Sequence, residues 1–425
     1  MKSPDNLLRH SILLMAASQA CNVSSGLFQM VMGRCMAQDP AEYGVLSSML
    51  GVVVIAGMPL GALGTVLTFF SAQFLQQDRA GDIFRLMRAW TLKLMLIAFP
   101  LFAAGILFSQ PLAAFFNLPD RSALFIVLGI LAFSFFSPVI GGVLGGIQAF
   151  GWASVSGVSW GVVRLLVGGA LVYFVAASAK LALVGHGAGV LVSVGIAVAG
   201  VWSILRKTAP TDQALPGTQA YLWRTLVVLA CFAFLMNADM LIVKHYFTPE
   251  QSGLYARAAT IGRMIIFLPM PIAGALFPKT VSDGAVSAQH NRLLWKALFY
   301  TALIVIPGVL FCTVFPQAPL GLLYRDWAPS AVMVRLVRCT IWAMAPLSLA
   351  FIIMNFELAQ NRFRIALPLI FCVAAYLAGV SFWHATFLQI VAVLAVVSVL
   401  ALLALLKNLP RENAPGVSNF SQSKY

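Results

Sequence analysis

The amino-acid sequence predicts an all-α polytopic membrane protein, with about twelve transmembrane helices in two six-helix lobes around a central cavity. Three observations predict this class: the composition, the lengths of the apolar runs and a weak internal repeat. Of 425 residues, 61% are hydrophobic and 9% are charged, whereas a soluble domain carries about 25% charged residues. The mean hydropathy is +0.92. Most of the chain is therefore expected to lie within a bilayer.

Twelve apolar runs are candidates for membrane spans, because a helix crosses a hydrocarbon core of about 30 Å with about 20 apolar residues. The runs are 11–33, 44–71, 94–116, 122–147, 153–177, 181–205, 225–243, 258–278, 297–315, 331–358, 365–383 and 385–406. The first run continues past Cys21 to Met32, which is too long for the apolar core of a signal peptide. We therefore expect an uncleaved first helix.

An internal repeat divides these spans into two halves. Three pairs of segments recur in order at displacements of 208 to 212 residues: Pro40–Gly44 with Pro249–Gly253, Met58-Pro59 with Met270-Pro271, and Ser122-Ala123 with Ser330-Ala331. Two halves of six helices begin on the same side of the membrane, so the repeats are parallel. The predicted organisation is an N-terminal lobe at 1–205, a cytoplasmic linker at 206–220, a C-terminal lobe at 221–407 and a disordered cytoplasmic tail at 408–425.

The basic residues predict the orientation. If the N-terminus is cytoplasmic, the inside segments carry 17 Lys and Arg and the outside segments carry eight, so both termini are expected to be cytoplasmic. This asymmetry accounts for a large part of the net charge of +14, and the basic balance is therefore not taken as a sign of nucleic-acid binding. No outside loop is long enough to form a domain, so the activity is expected within the membrane.

Asp239 lies inside the seventh span, where a carboxylate costs about 2.5–3.5 kcal/mol on insertion scales unless it faces a cavity or a partner. Asn237 and Lys244 share one face of that helix, and Asp239 lies on another. We therefore expect the partner of Asp239 to come from a different helix. Arg263, in the eighth span, and Arg164, in the fifth, are the available deep cations.

The first span carries a polar stripe within about 60° of arc, formed by Ser11, Ser18, Asn22, Ser25 and Gln29. Such a stripe either lines a water-filled cavity or supplies hydrogen bonds between helices. The length of the stripe favours a cavity, which Asn237, Asp239 and Arg263 are expected to share.

Glycines and prolines predict close packing and bends. Overlapping GxxxG motifs at Gly141, Gly142, Gly145 and Gly146, and a further one at Gly157 and Gly161, are typical of helix contacts in membranes. Prolines inside the spans are expected to kink them; they are Pro59, Pro138, Pro269, Pro271 and Pro346. The six cysteines are scattered, without metal-ligand spacing, and are expected to be small apolar residues of the membrane. No metal or cofactor is predicted.

Four segments resemble the oligosaccharide-unit flippases, the polysaccharide-transport branch of the MOP (multidrug, oligosaccharidyl-lipid, polysaccharide) exporter superfamily. Gly33–Gly44 resembles their R-x-L-G-P-E-E-Y-G loop after the first helix, and Gly146–Phe150 their G-x-x-Q exit from the fourth. Asp239–Ala256 is similar to their D…G-x-Y-x-x-A segment, and Gly321–Ala328 to their G-x-x-Y-x-x-A loop. The resemblance covers roughly residues 10 to 405.

The resemblance implies a non-enzymatic protein of the bacterial cytoplasmic (inner) membrane. Such a protein translocates a polyprenyl-pyrophosphate-linked oligosaccharide, or a related polysaccharide precursor, to the outer leaflet by alternating access. It further implies a cavity lined by helices one, two, seven and eight, with cations that meet the pyrophosphate. The candidate substrate-binding residues are Arg263, Arg164, Asp239, Asn237, Lys244, Asn22 and Gln29. The expected partners are the lipid-linked oligosaccharide and membrane lipid, with a coupling cation and polysaccharide-assembly proteins as further candidates.

Three alternatives remain open at this point. The first alternative is that the buried charges form fixed structural pairs and do not bind substrate. The second is an ion-coupled exporter of small amphipathic compounds, from the drug-export branch, in which Asp239 is the cation-binding carboxylate. The third alternative is a membrane polymerase or ligase that uses the same lipid-linked substrate. The five histidines have no nearby catalytic acid, which disfavours this enzyme; they are His10, His186, His245, His290 and His384.

Overall fold

The computed structural model describes residues 4–409 except 120, 207, 209–218, 270–287 and 361. In these residues the chain forms sixteen α-helices and one 3-10 turn, and no strand. The helices are α1 (Pro4–Cys35), α2 (Pro40–Gly57), α3 (Gly61–Gln76), α4 (Ala80–Leu107), α5 (Ser109–Phe115), α6 (Ser122–Ser134), α7 (Ser137–Gly146), α8 (Phe150–Phe174), α9 (Ala179–Leu205), α10 (Gln219–Tyr246), α11 (Pro249–Phe267), α12 (Ala288–Val314), α13 (Gln317–Tyr324), α14 (Ala331–Ala359), α15 (Ala366–Phe382) and α16 (Phe387–Lys407). The predicted all-α class is confirmed.

Within the described residues, each predicted span falls on one helix or on two consecutive helices, with α2 and α3 forming the second span and α6 and α7 the fourth. Nine helical segments of the described chain are long and apolar enough to cross a membrane. Together with α1, α11 and the shorter α15, these segments match the predicted count of about twelve.

The third span shows the largest difference between prediction and structure. The sequence predicts it at 94–116, whereas α4 begins at Ala80 and ends at Leu107, and α5 follows. The early turns of α4 carry Arg85 and Arg88, which lower the local hydropathy. The helix is nevertheless stable there because Ile83, Leu86 and Trp90 are buried on one face, as in an amphipathic helix.

Two helices begin in the same way at the two copies of the repeat. The Asp39 side chain accepts hydrogen bonds from the first turn of α2, at 3.1 and 3.3 Å. Thr248 and Gln251 form a capping box at the start of α11, with both hydrogen bonds 3.3 Å long. In each helix proline follows the cap and occupies the first turn, where it has no backbone donor to lose. Residues 40–44 and 249–253 are thus equivalent helix starts.

Three of the four motif glycines in the fourth span, Gly142, Gly145 and Gly146, lie against α3, as predicted. A Cβ at Gly141, or at Gly157 of the fifth span, would have no neighbour within 4 Å among the described residues, contrary to the packing prediction. A side chain at Gly142 would overlap the backbone of Gly64 on α3, and a side chain at Gly146 would lie 2.5 Å from Ser71 Cβ. Gly161 likewise brings α8 against α1 at Cys21 and Ser24. Small residues let these helices approach closely, which is how helices associate in lipid.

Prolines interrupt two of the spans. Pro59 lies in the 3-10 turn between α2 and α3, and Pro138 lies in the first turn of α7, after the break that follows α6. Pro346 is inside the continuous helix α14, and Pro269 follows the end of α11. Pro271 lies outside the described residues. The six cysteines carry free thiols.

The two halves of the chain, α1–α9 and α10–α16, contact each other asymmetrically. α10 packs against α2 and α3 of the other half, with Gly51 beside Leu241 and Gly61 beside Leu229. By contrast, α1 and α11 make no extended contact within the described residues. The largest buried apolar cluster draws on both halves. The lobe boundaries remain a prediction, and most of the expected linker at 206–220, like the expected tail at 408–425, lies outside the described residues.

Candidate functional site

A buried ion pair joins α10 to α11. Asp239 Oδ1 lies 2.6 Å from Arg263 Nη2, and Tyr255 donates its hydroxyl to Asp239 Oδ2 at 2.8 Å. Arg263 Nε donates to the carbonyl oxygen of Met236 at 3.0 Å. The Asp239 side chain is fully buried, and that of Arg263 is 11% exposed. The predicted pairing of Asp239 with a cation on another helix is confirmed, and the cation is Arg263.

Asp239 does not line a cavity, contrary to the expectation from the sequence. Both of its carboxylate oxygens have partners, and it lies within electrostatic range of Tyr376 on α15. Asn237, about 200° around the same helix, packs beside Gly51 of α2. Asp239 thus faces the interior of the C-terminal half. Hydropathy gives the depth of a residue but not the rotation of its helix. The expectation that Asp239 faces a shared cavity is wrong for this conformation for that reason.

Asn237 and Lys244 are also closed to a ligand in this conformation. Asn237 is 5% exposed and donates to the carbonyl oxygen of Ala233 at 3.1 Å. Lys244 is fully buried near the end of α10, and its Nζ has no hydrogen-bond partner within the described residues. The carboxylates of Glu42 and Glu250 are the charges that act on it. Because Glu42 belongs to the other half, Lys244 lies at the contact between the halves.

Arg164 is a buried cation without a counter-ion in the described part of the chain. It is 6% exposed, and its Cζ lies 4.0 Å from the ring centre of Phe28 and 5.1 Å from that of Trp160. Its Nε is buried without a partner, and no ion pair or hydrogen bond of Arg164 is found among the described residues. Cation–π contacts offset part of the desolvation, but a buried charge is stabilised most by an opposite charge.

The polar stripe of α1 points away from the exposed apolar face of that helix. Asn22, Ser25 and Gln29 are half-buried, whereas Val23 and Leu27 are 61% and 40% exposed and lie roughly opposite to the stripe. Among the described stripe residues, only Gln29 has a hydrogen bond to another helix, from the Tyr43 hydroxyl at 3.1 Å. This placement favours the cavity-lining interpretation of Asn22 and Gln29. The side chain of Ser11 is outside the described residues.

Tyr43 connects the two halves through a cluster of hydroxyl groups. Its hydroxyl lies 3.1 Å from Thr260 Oγ1 and 3.0 Å from the Tyr324 hydroxyl, and both partners belong to the C-terminal half. The two tyrosine rings meet edge to face, with centroids 5.3 Å apart. The Tyr43 hydroxyl is also within electrostatic range of Arg164 and Arg263. The two deep arginines therefore border the same region between the halves.

Contacts from side chains to the backbone close the end of the bundle at which the Tyr43 hydroxyl cluster lies. Arg257 Nη2 donates to the carbonyl oxygen of Ala37 at 2.5 Å, and Arg34 Nε donates to that of Leu322 at 2.9 Å. A Cβ on Gly253 would overlap the backbone of Pro40. We call this end of the bundle, formed by residues 33–44, 244–257 and 321–328, the motif end, because it contains all or most of three of the four segments that carry the family resemblance.

Several of these residues carry no functional signal in the sequence alone. Tyr43 and Tyr324 lie inside the resembling segments, which marks them as candidates, but nothing indicates that they meet. Thr260 and Arg257 lie in or beside an apolar span and have no motif. Asp82 is fully buried at the other end of the bundle, 2.7 Å from Arg79 and 3.1 Å from Arg85, although hydropathy places it in a loop.

The fold is one that known membrane transporters share. A multidrug resistance MATE family transporter of the MOP superfamily, in an inward-facing conformation, has a TM-score of 0.66 at 13% identity, over 91% of this chain and 96% of that chain. The lipid II flippase MurJ, in an inward closed conformation, has a TM-score of 0.67 at 12% identity, over 93% and 87%. The eukaryotic MATE transporter AtDTX14 has a TM-score of 0.67 at 12% identity, over 95% and 96%.

These likenesses establish the fold of the chain. No protein-family model matches the sequence. No curated protein matches it either.

Proposed function

We propose that the protein moves an anionic lipid-linked saccharide, of the polyprenyl-pyrophosphate-linked class, from the inner to the outer leaflet of a bacterial cytoplasmic membrane. The two halves alternate access to a central site, and both termini are cytoplasmic. The fold supports transport, because the similar structures include MATE transporters and a lipid II flippase. The closed motif end and the separation of α1 from α11 support an opening toward the other side.

Arg164 is the reason for proposing an anionic substrate. Its guanidinium is buried against the rings of Phe28 and Trp160 and has no anion in the described chain. A guanidinium group binds phosphate oxygens by paired, charge-assisted hydrogen bonds, and such bonds are stronger in a low-dielectric interior. A pyrophosphate head group therefore supplies the charge that this site lacks, and the polar stripe of α1 offers hydrogen bonds to sugar hydroxyls.

Arg263 is the second proposed contact, from the opposite half. Asp239 and the carbonyl oxygen of Met236 hold its Nη2 and Nε, so the guanidinium has one orientation. Its Nη1 has no described partner and remains available to a ligand. Asp239 then acts as a positioning residue that keeps Arg263 ordered. Asn22 and Gln29 are proposed to contact the saccharide. Arg164, Asn237 and Lys244 are 6%, 5% and 0% exposed, so each of them requires a conformation in which the halves have moved.

Export of small amphipathic compounds is the competing function, since the similar structures also include the MATE multidrug transporter DinF-BH. In that alternative Asp239 binds the coupling cation. The carboxylate is already paired with Arg263 and Tyr255, which gives a cation no free charge at Asp239 and favours the anionic substrate. We propose no enzymatic activity and no cofactor.

Complementation of a strain that lacks its polysaccharide flippase tests this function. Wild-type protein is expected to restore surface polymer, Arg164→Gln to reduce it at least tenfold, and Arg164→Lys to restore part of it, because lysine keeps the charge but not the paired geometry. Arg335→Gln, at an exposed arginine of α14, is the matched control and is expected to leave polymer unchanged. Immunoblots of membranes show whether each variant is present.

Two outcomes would contradict the proposal. Full polymer with Arg164→Gln at normal abundance removes this residue from the substrate site. Drug resistance conferred by the wild-type protein, without any effect on surface polysaccharide, assigns the chain to export of small compounds instead.

A further inference from the structure

A groove on the outer side of the N-terminal half lies between α4 and α9, at the end of the bundle opposite to the motif end. It has a volume of about 580 Å³ and continues into an apolar pocket of about 330 Å³. Phe84, Met87, Thr91, Met95 and Trp202 line both parts. The groove is therefore one continuous channel, with aromatic and thioether side chains along its length.

Among the described residues, basic side chains border one end of this groove and not the other. Arg85, Arg88, Arg206 and Thr208 line the larger part, whereas the deeper part is lined by apolar residues and Thr91. Asp82 is buried behind Arg85 at 3.1 Å and neutralises at most one positive charge there. Arg88 and Arg206 are exposed. The groove thus combines a cationic mouth with an apolar body.

The length of the groove is close to the thickness of the hydrocarbon part of one leaflet. Arg206 at the mouth caps the end of α9 and is twelve residues beyond Val194 in the deeper pocket, a rise of about 18 Å. Half of a hydrocarbon core of about 30 Å is about 15 Å. A lipid whose phosphate lies between the arginines therefore places its acyl chain along the apolar body.

We propose that this groove is a binding site for an anionic glycerophospholipid of the leaflet at that end of the bundle, which the orientation prediction makes the cytoplasmic leaflet. The arginines bind the phosphate and the glycerol head group, and the walls around Phe84 and Trp202 bind one acyl chain. Charge complementarity and length both favour this occupant. A polyprenyl carrier has a tail longer than one leaflet, and a zwitterionic lipid leaves the cationic mouth uncompensated.

The site is independent of the transported substrate, because it opens on the outer face of the N-terminal half and not between the halves. Its bound lipid braces α4 against α9. Both helices contact α6 and α7, so a lipid in this position holds the helices of the N-terminal half together while that half moves as a unit.

Native mass spectrometry of the full-length protein, released from bilayers, tests the proposal. The probes are dioleoyl phosphatidylglycerol and dioleoyl phosphatidylcholine, which share their acyl chains. The wild-type protein is expected to retain at least threefold more phosphatidylglycerol. Arg88→Gln/Arg206→Gln, which leaves the Asp82 pairs intact, is expected to abolish this preference. Arg292→Gln/Lys296→Gln is the matched control, because these exposed cations of α12 are at the same end, beside exposed Trp295 and Phe299.

Blocking the apolar body provides a second measurement. Val198 lines the groove and is 47% exposed, so Val198→Trp fills the groove without entering the core and is expected to reduce retained lipid at least threefold. Val184→Trp, on the same helix but outside the lining residues, is the control. Equal retention of the two lipids by the wild-type protein, or equal losses in both double variants, overturns the proposal. Displacement of phosphatidylglycerol by polyprenyl phosphate at equal concentration also overturns it, in favour of the carrier lipid.

Discussion

Asp239 and Arg263 neutralise each other at a depth where neither charge is stable alone. The carboxylate is fully buried, and the guanidinium is nearly so. Replacing a complete buried pair is often close to neutral for stability, whereas removing one partner costs about 3–5 kcal/mol because the other charge stays buried. Tyr255 and the Met236 carbonyl group satisfy further hydrogen-bonding positions, so the pair also fixes the rotation of α10 relative to α11.

This pair predicts a compensating double substitution. Asp239→Asn and Arg263→Gln are each expected to lower the free energy of unfolding by about 3–5 kcal/mol, because each leaves one uncompensated charge in the interior. Asp239→Asn/Arg263→Gln is expected to recover more than half of that loss and to remain inactive in transport, because Arg263 is also a proposed substrate contact. Thermal unfolding in one detergent and polymer complementation are the measurements.

Arg362→Gln is the matched control for this prediction. Arg362 lies 3.7 Å from Glu357 and is 21% exposed, so water compensates part of its removal and the loss of stability is expected to be smaller. A double variant that is as unstable as the single ones contradicts the pairing. A stable double variant with normal transport shows that Arg263 is structural only.

The sequence predicts this pair in part. The rarity of charges in the spans and the angle between Asp239 and Lys244 predict a partner on another helix, and Arg263 is one of two candidates. The Tyr255 bond and the burial of Asp239 depend on how α10 and α11 are rotated against α15. That rotation is decided by packing among apolar residues, which a single sequence does not specify.

α3 and α7 pack closely at glycines, and we call this contact the glycine seam. Two adjacent glycines of α7 differ there in whether an added Cβ would overlap a neighbour. Gly142 and Gly146 face α3, and a Cβ at either position would come too close to Gly64, Thr68 or Ser71. Gly141, the next residue along the chain, has nothing within 4 Å of the position of a Cβ. Adjacent glycines on one helix therefore have opposite packing requirements.

This seam predicts a matched pair of variants. Gly142→Ala is expected to lower the free energy of unfolding by about 1–3 kcal/mol, because the added methyl group pushes α7 from α3. Gly141→Ala is expected to be neutral or to stabilise the protein by about 0.4–1 kcal/mol through the reduced entropy of the unfolded chain. Thermal unfolding in one detergent compares the two, and equal melting temperatures contradict the seam.

Helix existence follows from hydropathy, whereas helix ends follow from capping and amphipathicity. α14 is predicted at 331–358 and observed at Ala331–Ala359, because Ser330 caps the start of an apolar run. α11 is predicted from 258 but begins at Pro249, because the capping box starts a helix in polar sequence. The short turn at Met58–Leu60 is consistent with the bend expected at Pro59.

At the scale of the whole molecule, the two copies of the repeat touch each other. Pro40–Gly44 and Pro249–Gly253 start equivalent helices, and Gly44 and Gly253 lie where a Cβ on Gly44 would be 2.9 Å from the Gly253 nitrogen. Parallel repeats related by an axis along the membrane normal bring equivalent residues together only at that axis. The sequence predicts the repeat, but the position of its axis depends on the packing of both halves.

The proposed alternating access requires this contact to open. The Tyr43, Thr260 and Tyr324 hydroxyl groups, the two arginine-to-carbonyl bonds and the glycine contact all cross between the halves at the motif end. The net contribution of each hydrogen bond to the stability of the closed conformation is about 0.5–1.5 kcal/mol. A few such bonds stabilise one conformation without preventing its conversion to another, which is the balance that the proposed function needs.

The closed motif end predicts how a buried cysteine reacts. Ser252 is fully buried at this contact, so Ser252→Cys, in a background without the six native cysteines, is expected to react slowly with a membrane-impermeant maleimide. Adding Tyr43→Phe removes hydroxyl bonds to both halves and is expected to raise the labelling rate about fivefold, the population shift for about 1 kcal/mol. Ala331→Cys, exposed at the start of α14, reacts at one rate in both backgrounds. Labelling of Ala331→Cys in intact cells places the motif end outside the cytoplasm. A labelling rate of Ser252→Cys that equals the rate of Ala331→Cys contradicts the closed motif end.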